Sequence, residues 1–119
     1  MKKGQPPSRE MNRLAGIRRK KMEIIRENYR EDRDDWKLDL KCGTIELEIF
    51  GEPNPPARIS GPEACGLRHL AFYVPSVEQT VKELATMGIE CEPIRTDTYT
   101  GKHMTFFKDP DGLPLELHE

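Results

Sequence analysis

Three ionisable side chains stand inside apolar, strand-like runs, where a charge is costly unless something pairs with it. His69 interrupts Leu67-Arg68-His69-Leu70-Ala71-Phe72-Tyr73-Val74, and Glu116 interrupts Leu113-Pro114-Leu115-Glu116-Leu117. Glu48, with Glu46 two residues before it, lies in Ile45-Glu46-Leu47-Glu48-Ile49. Successive side chains of a strand point to opposite faces. If the aliphatic members of all three runs pack inward, the imidazole and the carboxylates point the other way. One imidazole and two carboxylates converging there suit a borderline divalent ion such as Zn, Ni, Co or Mn, with positions left for water and substrate. The same alternation also marks an antiparallel sheet with one wet face, and spacing alone makes that the commoner explanation.

The elements that would carry these residues are short. Residues 23–29 read as a strand and residues 32–35 as an acidic turn. Trp36, Leu38 and Leu40 alternate with Lys37, Asp39 and Lys41, the pattern of a half-buried strand. Cys42-Gly43 turns the chain into a third strand over residues 44–50. Residues 51–62 hold four prolines and two glycines, a loop crossing between two halves. A strand is expected over residues 67–74. Ser76-Val77-Glu78-Gln79 is a capping box opening a helix, with Val77, Val81, Leu84 and Ala85 on one face and Gly88 as the stop. Strands over residues 89–94, 103–108 and 113–118 follow, the last two joined by Asp109-Pro110-Asp111-Gly112, which has the residue preferences of a type I turn. The second half is thus βαβββ, and the first half shows only the last three strands of such a unit. The fold class is α+β: paired βαβββ modules, the first lacking its opening strand and helix.

Composition narrows the function. With 119 residues, 34% charged and 35% apolar, the chain can bury one small core but not two. Cys42, Cys65 and Cys91 are odd in number and show no CxxC spacing, which points to reduced thiols in a cytoplasmic protein rather than to a disulfide or zinc framework. No apolar run approaches membrane-spanning length, and no apolar stretch follows the basic N-terminus as in a secretory signal. Residues 1–22 carry eight Lys/Arg against the single acid Glu10, whereas the rest of the chain is acidic. A basic arm could touch nucleic acid. Its scarcity of aromatics fits a solvated tail, with a short basic helix expected over residues 11–22, and nucleic acid is not an expected partner. The domain organisation expected is a basic arm over residues 1–22 and one domain over residues 23–119.

The string Glu63-Ala64-Cys65-Gly66-Leu67-Arg68-His69-Leu70-Ala71-Phe72, with Asp109-Pro110-Asp111-Gly112 four residues ahead of Glu116, resembles the glyoxalase/bleomycin-resistance/dioxygenase (vicinal oxygen chelate) superfamily. Within it, the chain is most similar to small bacterial lactoylglutathione-lyase-like proteins, from about Met22 to the C-terminus, including Asn28-Tyr29-Arg30 and Trp36-Lys37. The resemblance implies paired βαβββ modules forming a cupped mixed sheet around a metal. It also implies Glu48, His69 and Glu116 as metal ligands, Glu46 being the competitor for Glu48. The family's remaining ligand, a histidine on its first strand, has no counterpart here, since the histidines are His69, His103 and His118.

The function implied is that of a metal-dependent lyase or isomerase resembling glyoxalase I. Its substrate would be the hemithioacetal of an α-ketoaldehyde and a thiol, Glu116 or Glu48 would be the catalytic general base, and Ni or Zn the divalent ion. Homodimerisation is implied as well. A non-catalytic small-ligand or drug-binding protein of the same fold is the alternative, with an extradiol-dioxygenase relative behind it. Lys102 and Arg68 are candidates to meet a thiol's carboxylates, and Cys65 is assigned no chemistry.

Overall fold

A computed structural model describes residues 22–119. Apart from Met22, the basic arm and the short helix expected within it lie outside the described residues. The chain divides into two compact units, at Pro56 and Ala57. Each is built on its own sheet.

The first unit is a meander of three antiparallel strands, β1 (Glu23–Arg30), β2 (Asp35–Cys42) and β3 (Ile45–Gly51), in that order. The turn into β2 puts Asp34 in the left-handed region at φ 52°, a conformation Asp tolerates better than most residues. Arg30 closes this hairpin with two parallel bonds to Asp35, Nε to Oδ1 at 2.7 Å and Nη2 to Oδ2 at 2.6 Å. This fork-to-fork geometry fixes register as well as charge. Gly43, at φ 61°, turns β2 into β3. Leu38 and Leu40 are buried on one face, opposite Ile49 and Leu47 across the ladder. Ile45, expected to share that packing, is 61% exposed at the start of its strand. A register shift between Ile24 and Arg26 sets Arg26 directly opposite Asp39. Bulges commonly re-aim a side chain in this way.

The second unit is the expected βαβββ. Its strands β4 (Leu70–Tyr73), β5 (Arg95–Thr96), β6 (His103–Lys108) and β7 (Pro114–His118) stand in the order β4-β7-β6-β5, and helix α1 (Val77–Thr86) links the first to the second. The Ser76 hydroxyl accepts the Gln79 N–H at 3.1 Å, as the capping signature predicts. Gly88, at φ 75°, ends the helix, and the Ile89 N–H returns to the Leu84 carbonyl. Phe72, Val74, Leu115 and Leu117 bury one sheet face together with Val77 and Leu84 of the helix. Asp109 holds the last turn by accepting the N–H groups of Asp111 and Leu113 on Oδ1 at 2.9 and 2.8 Å. Burial pushes its carboxyl up, against the pull of those bonds.

Two strands depart from expectation. The strand expected over residues 67–74 begins at Leu70, because the carbonyls of Leu67 and Arg68 are taken by the Arg58 guanidinium instead of a ladder. The strand expected over residues 89–94 is displaced to Arg95–Thr96. Pro93 has no N–H to give. The Glu92 carbonyl accepts the Thr105 hydroxyl at 2.7 Å, so the segment pairs with β6 partly through a side chain. No helix among the described residues is long and apolar enough to cross a membrane.

Leu117 has no exposed surface, so Leu117→Ala should destabilise the protein by about 2–5 kcal/mol. Ser76→Ala, which removes only the helix cap, should cost about 1 kcal/mol. Urea unfolding of both variants checks this, and equal losses would contradict the core assignment.

Candidate functional site

The face of the second sheet opposite α1 follows from the core. With Phe72, Val74, Leu115 and Leu117 turned inward, alternation turns His69, Ala71 and Tyr73 outward, and Glu116 and His118 with them. Parallel pairing sets Ala71 beside Glu116 and Tyr73 beside His118. Antiparallel pairing sets Phe106 of β6 on the other flank of Glu116. His69, just ahead of β4, thereby reaches Glu116, with Nε2 3.5 Å from Oε2. Their side chains are 33% and 16% exposed, so both are sheltered yet reachable. The edge of Phe106 meets the His69 ring at 5.4 Å between centroids and 84° between planes. The Arg95 guanidinium lies over the same Phe106 ring at 5.4 Å. Tyr73 and His118 make a similar edge contact further along.

The separation of 3.5 Å is informative. A charge-assisted hydrogen bond would be about 2.7–2.9 Å. Two ligands of one tetrahedral ion, each at about 2.0–2.1 Å from it, stand roughly 3.3–3.4 Å apart. One neutral imidazole and one carboxylate are also the donor set that a borderline divalent ion accepts. The pair therefore fits half of a metal site.

Glu48 belongs to the first unit. Its Oε1 lies 3.2 Å from the Lys37 Nζ, and its side chain is 51% exposed. Glu46, the competitor, is held by Arg26 at 3.1 Å. Both carboxylates project on one face with Asp39, Lys37 and Phe50. Asp39 is 1% exposed and contacts Arg26 at 2.7 Å and Lys37 at 3.2 Å. The Arg26 hydrogen bond is the main reason its carboxyl titrates below the usual range, and it outweighs burial. Lys37 is pushed up by its bonds to Glu48 and then Asp39, so it stays an ammonium. Among the described residues, no group of three His, Cys, Asp or Glu side chains is gathered to hold an ion.

The sequence pattern of the glyoxalase/bleomycin resistance protein/dioxygenase superfamily matches residues 21–117. The chain belongs to that superfamily. It is 57% identical over 98 residues to YwkD of Bacillus subtilis (strain 168), a protein of uncharacterised function, covering 82% of this chain and 77% of that one. A crystal structure of a glyoxalase family protein from Enterococcus faecalis shares 55% identity and a TM-score of 0.77, covering 91% of this chain and 87% of that one. At 18% identity and a TM-score of 0.68, the fold alone is shared with a variant of the fosfomycin resistance protein FosX from Listeria monocytogenes, complexed with Mn(II) and 1S,2S-dihydroxypropylphosphonic acid. That alignment covers 92% of this chain and 80% of FosX.

The structure brings His69 and Glu116 together, as the face sorting expects, and sets Phe106, with Arg95 over its ring, beside His69. In sequence Phe106 reads as core filling more often than as a ligand-stacking ring. Asp39 looked like an ordinary solvent-side member of an alternating strand, since nothing local shows that a bulge brings Arg26 across from it. Cys65 is exposed, Cys42 and Cys91 are half-buried, and all three are free thiols. Burial pushes the Cys91 thiol up.

Because the folded Asp39 carboxyl titrates below its unfolded value of about 3.9, its pairing stabilises the fold above that pH. The contribution is lost as pH falls through the lower, folded value. Asp39→Asn should therefore flatten the acid limb of stability below about pH 4. Urea midpoints measured at stepped pH will show it, and an unchanged acid limb would contradict it.

Proposed function

We propose that the chain is a metal-dependent lyase or isomerase of the glyoxalase type, acting on the hemithioacetal of an α-ketoaldehyde and a thiol. The observation that best supports this is the His69–Glu116 pair, at ligand-to-ligand distance on a sheltered sheet face. Glu48 is the third protein ligand in this reading, and Ni or Zn the ion. Three protein ligands with an open position are an ordinary catalytic arrangement. When bound, such an ion supplies Lewis-acid polarisation of two adjacent substrate oxygens. His69 acts only as a ligand, kept in orientation by the edge of Phe106. Glu116, 16% exposed against 51% for Glu48, is the more sheltered carboxylate. It takes a proton from one carbon and returns it to the neighbouring one, as general base and then acid.

The reading includes a homodimer in a cytoplasmic setting. The outer edge of β3, last in its sheet, and the exposed Ile45 beside it support the dimer, because such an edge seeks a partner. The free thiols support the reducing compartment. Light scattering should give twice the chain mass, and a monomer at high concentration would remove the dimer from the proposal. A non-catalytic small-ligand binder on the same face is the second reading, favoured by the engagement of Glu48 with Lys37. An extradiol-dioxygenase relative would need two histidines and one carboxylate. The carboxylate at Glu48 weighs against it.

Protein loaded with Ni or Zn should turn over a methylglyoxal–thiol hemithioacetal slowly. Glu116→Gln should abolish turnover with the fold intact, and His69→Ala should weaken metal affinity at least about tenfold, since even outer-shell changes cost 10–100-fold. No turnover, with metal content indifferent to both substitutions, would end the enzyme reading and leave the binder.

A further inference from the structure

His69 lies just ahead of β4, outside the ladder that holds Glu116 between Ala71 and Phe106. Packing does not anchor the residues leading into it, since Leu67 is 60% exposed and Arg68 is exposed as well. What holds this stretch is the guanidinium of Arg58. Its Nη2 bonds the Arg68 carbonyl at 3.0 Å and the Leu67 carbonyl at 3.2 Å, and Nη1 reaches the Leu67 carbonyl at 3.3 Å. Nη2 also bonds Oε2 of Glu63 at 3.0 Å, and Glu63 is itself bridged to Ser60. The Arg58 Nε–H is buried without a hydrogen-bond partner. A buried donor left unpaired is costly, so the guanidinium is placed for the two carbonyls rather than for its own solvation.

A peptide group is planar, so a bond to its carbonyl fixes the whole plane. The Arg68 carbonyl shares its plane with the nitrogen and Cα of His69. Pinning it fixes the backbone entering His69, and the pairing of Leu70 with Leu115 fixes the backbone leaving it. The imidazole is then free only to turn about its own side-chain bonds, against the edge of Phe106. We propose that Arg58 is a positioning residue for the His69–Glu116 pair: it aims the imidazole at the carboxylate and thereby sets the affinity of the pair for a divalent ion. The inference rests on the reading of His69 and Glu116 as metal ligands, and it needs no residue of the first unit. Arginine suits the task because its planar fork holds several N–H groups at fixed angles, whereas a lysine ammonium is a point charge on a flexible stem. Partners that orient a ligand without touching the ion change metal affinity by about 10–100-fold. Arg58 does so through the main chain rather than through the ring.

The test compares the full chain of wild type with Arg58→Gln, Arg58→Lys and His69→Ala. Imidazole signals are read by NMR without metal, and affinity by calorimetric titration with Ni(II) or Zn(II) alone. Arg58→Gln should displace the ring signals of His69, which sense the Phe106 ring, and leave those of His103 and His118 in place. It should also weaken metal binding at least about tenfold. Loss of a positive charge would by itself tighten the binding of a cation, so weakening reports geometry. Arg58→Lys, which keeps the charge, should move both readouts in the same direction by less, and it carries the test if Arg58→Gln does not fold. A clamp that only stabilises the fold would lower the urea midpoint and leave the His69 signals and the affinity at wild-type values, and that result would overturn the inference. So would joint displacement of all three histidines, or displacement of His69 without loss of affinity. If His69→Ala leaves metal affinity at the wild-type value, His69 is no ligand, and the inference falls with the functional reading. If His69→Ala weakens binding and neither Arg58 variant changes either readout, the inference alone falls.

Discussion

The parallel pairing of β4 with β7 is the constraint on which the second unit depends. It joins the strand that opens the module to the strand that closes it, with α1, β5 and β6 between them in sequence. Its register is enforced from one side only. Phe72, Val74, Leu115 and Leu117 must all face the helix, and a slip by one residue would turn every one of them to water. With that register set, Ala71 stands beside Glu116 and His69 reaches the Glu116 carboxylate. The polar pair is a consequence of the apolar one.

The two units hold their charged groups by different means. In the second, His69 is bounded by the edge of Phe106 and by the carboxylate, and the backbone leading into β4 is held by Arg58. That guanidinium binds the carbonyls of Leu67 and Arg68 at 3.2 and 3.0 Å and the Glu63 carboxylate at 3.0 Å. In the first, the charged face is a network of paired side chains: Arg30 with Asp35, Arg26 with Asp39 and Glu46, Lys37 with Asp39 and Glu48. Exposed ion pairs contribute little individually. Two of these carboxylates are buried, Asp35 and Asp39, and a buried charge must keep its partner. The network therefore fixes side-chain positions more than it adds stability.

Membership of the superfamily and the chemistry of this chain are separate matters, because one fold carries several reactions. What bears on the chemistry is local to each unit: in the second, one imidazole, one sheltered carboxylate and an aromatic edge against the ring, and in the first, a carboxylate shared with a lysine.

Much of this was legible in the chain itself. The period-2 runs around Leu38, Phe72 and Leu115, the Ser76 cap, the Gly88 stop and the Asp109 turn are local signals, written in a few adjacent residues, and each appears in the fold, the Phe72 strand shorter than expected. His69 and Glu116 were legible for the same reason, as charges out of place in apolar runs. The parts that were not legible depend on partners distant in sequence. The late start of β4 follows from Arg58 capturing carbonyls nine and ten residues away. The displacement of β5 follows from Thr105 taking the Glu92 carbonyl across thirteen residues. The burial of Asp39 follows from a bulge in β1 that sets Arg26 against it. Sequence determines which face each side chain takes within its own strand, because alternation is a property of the backbone. Only tertiary structure decides which strand lies alongside, and so which charge meets which.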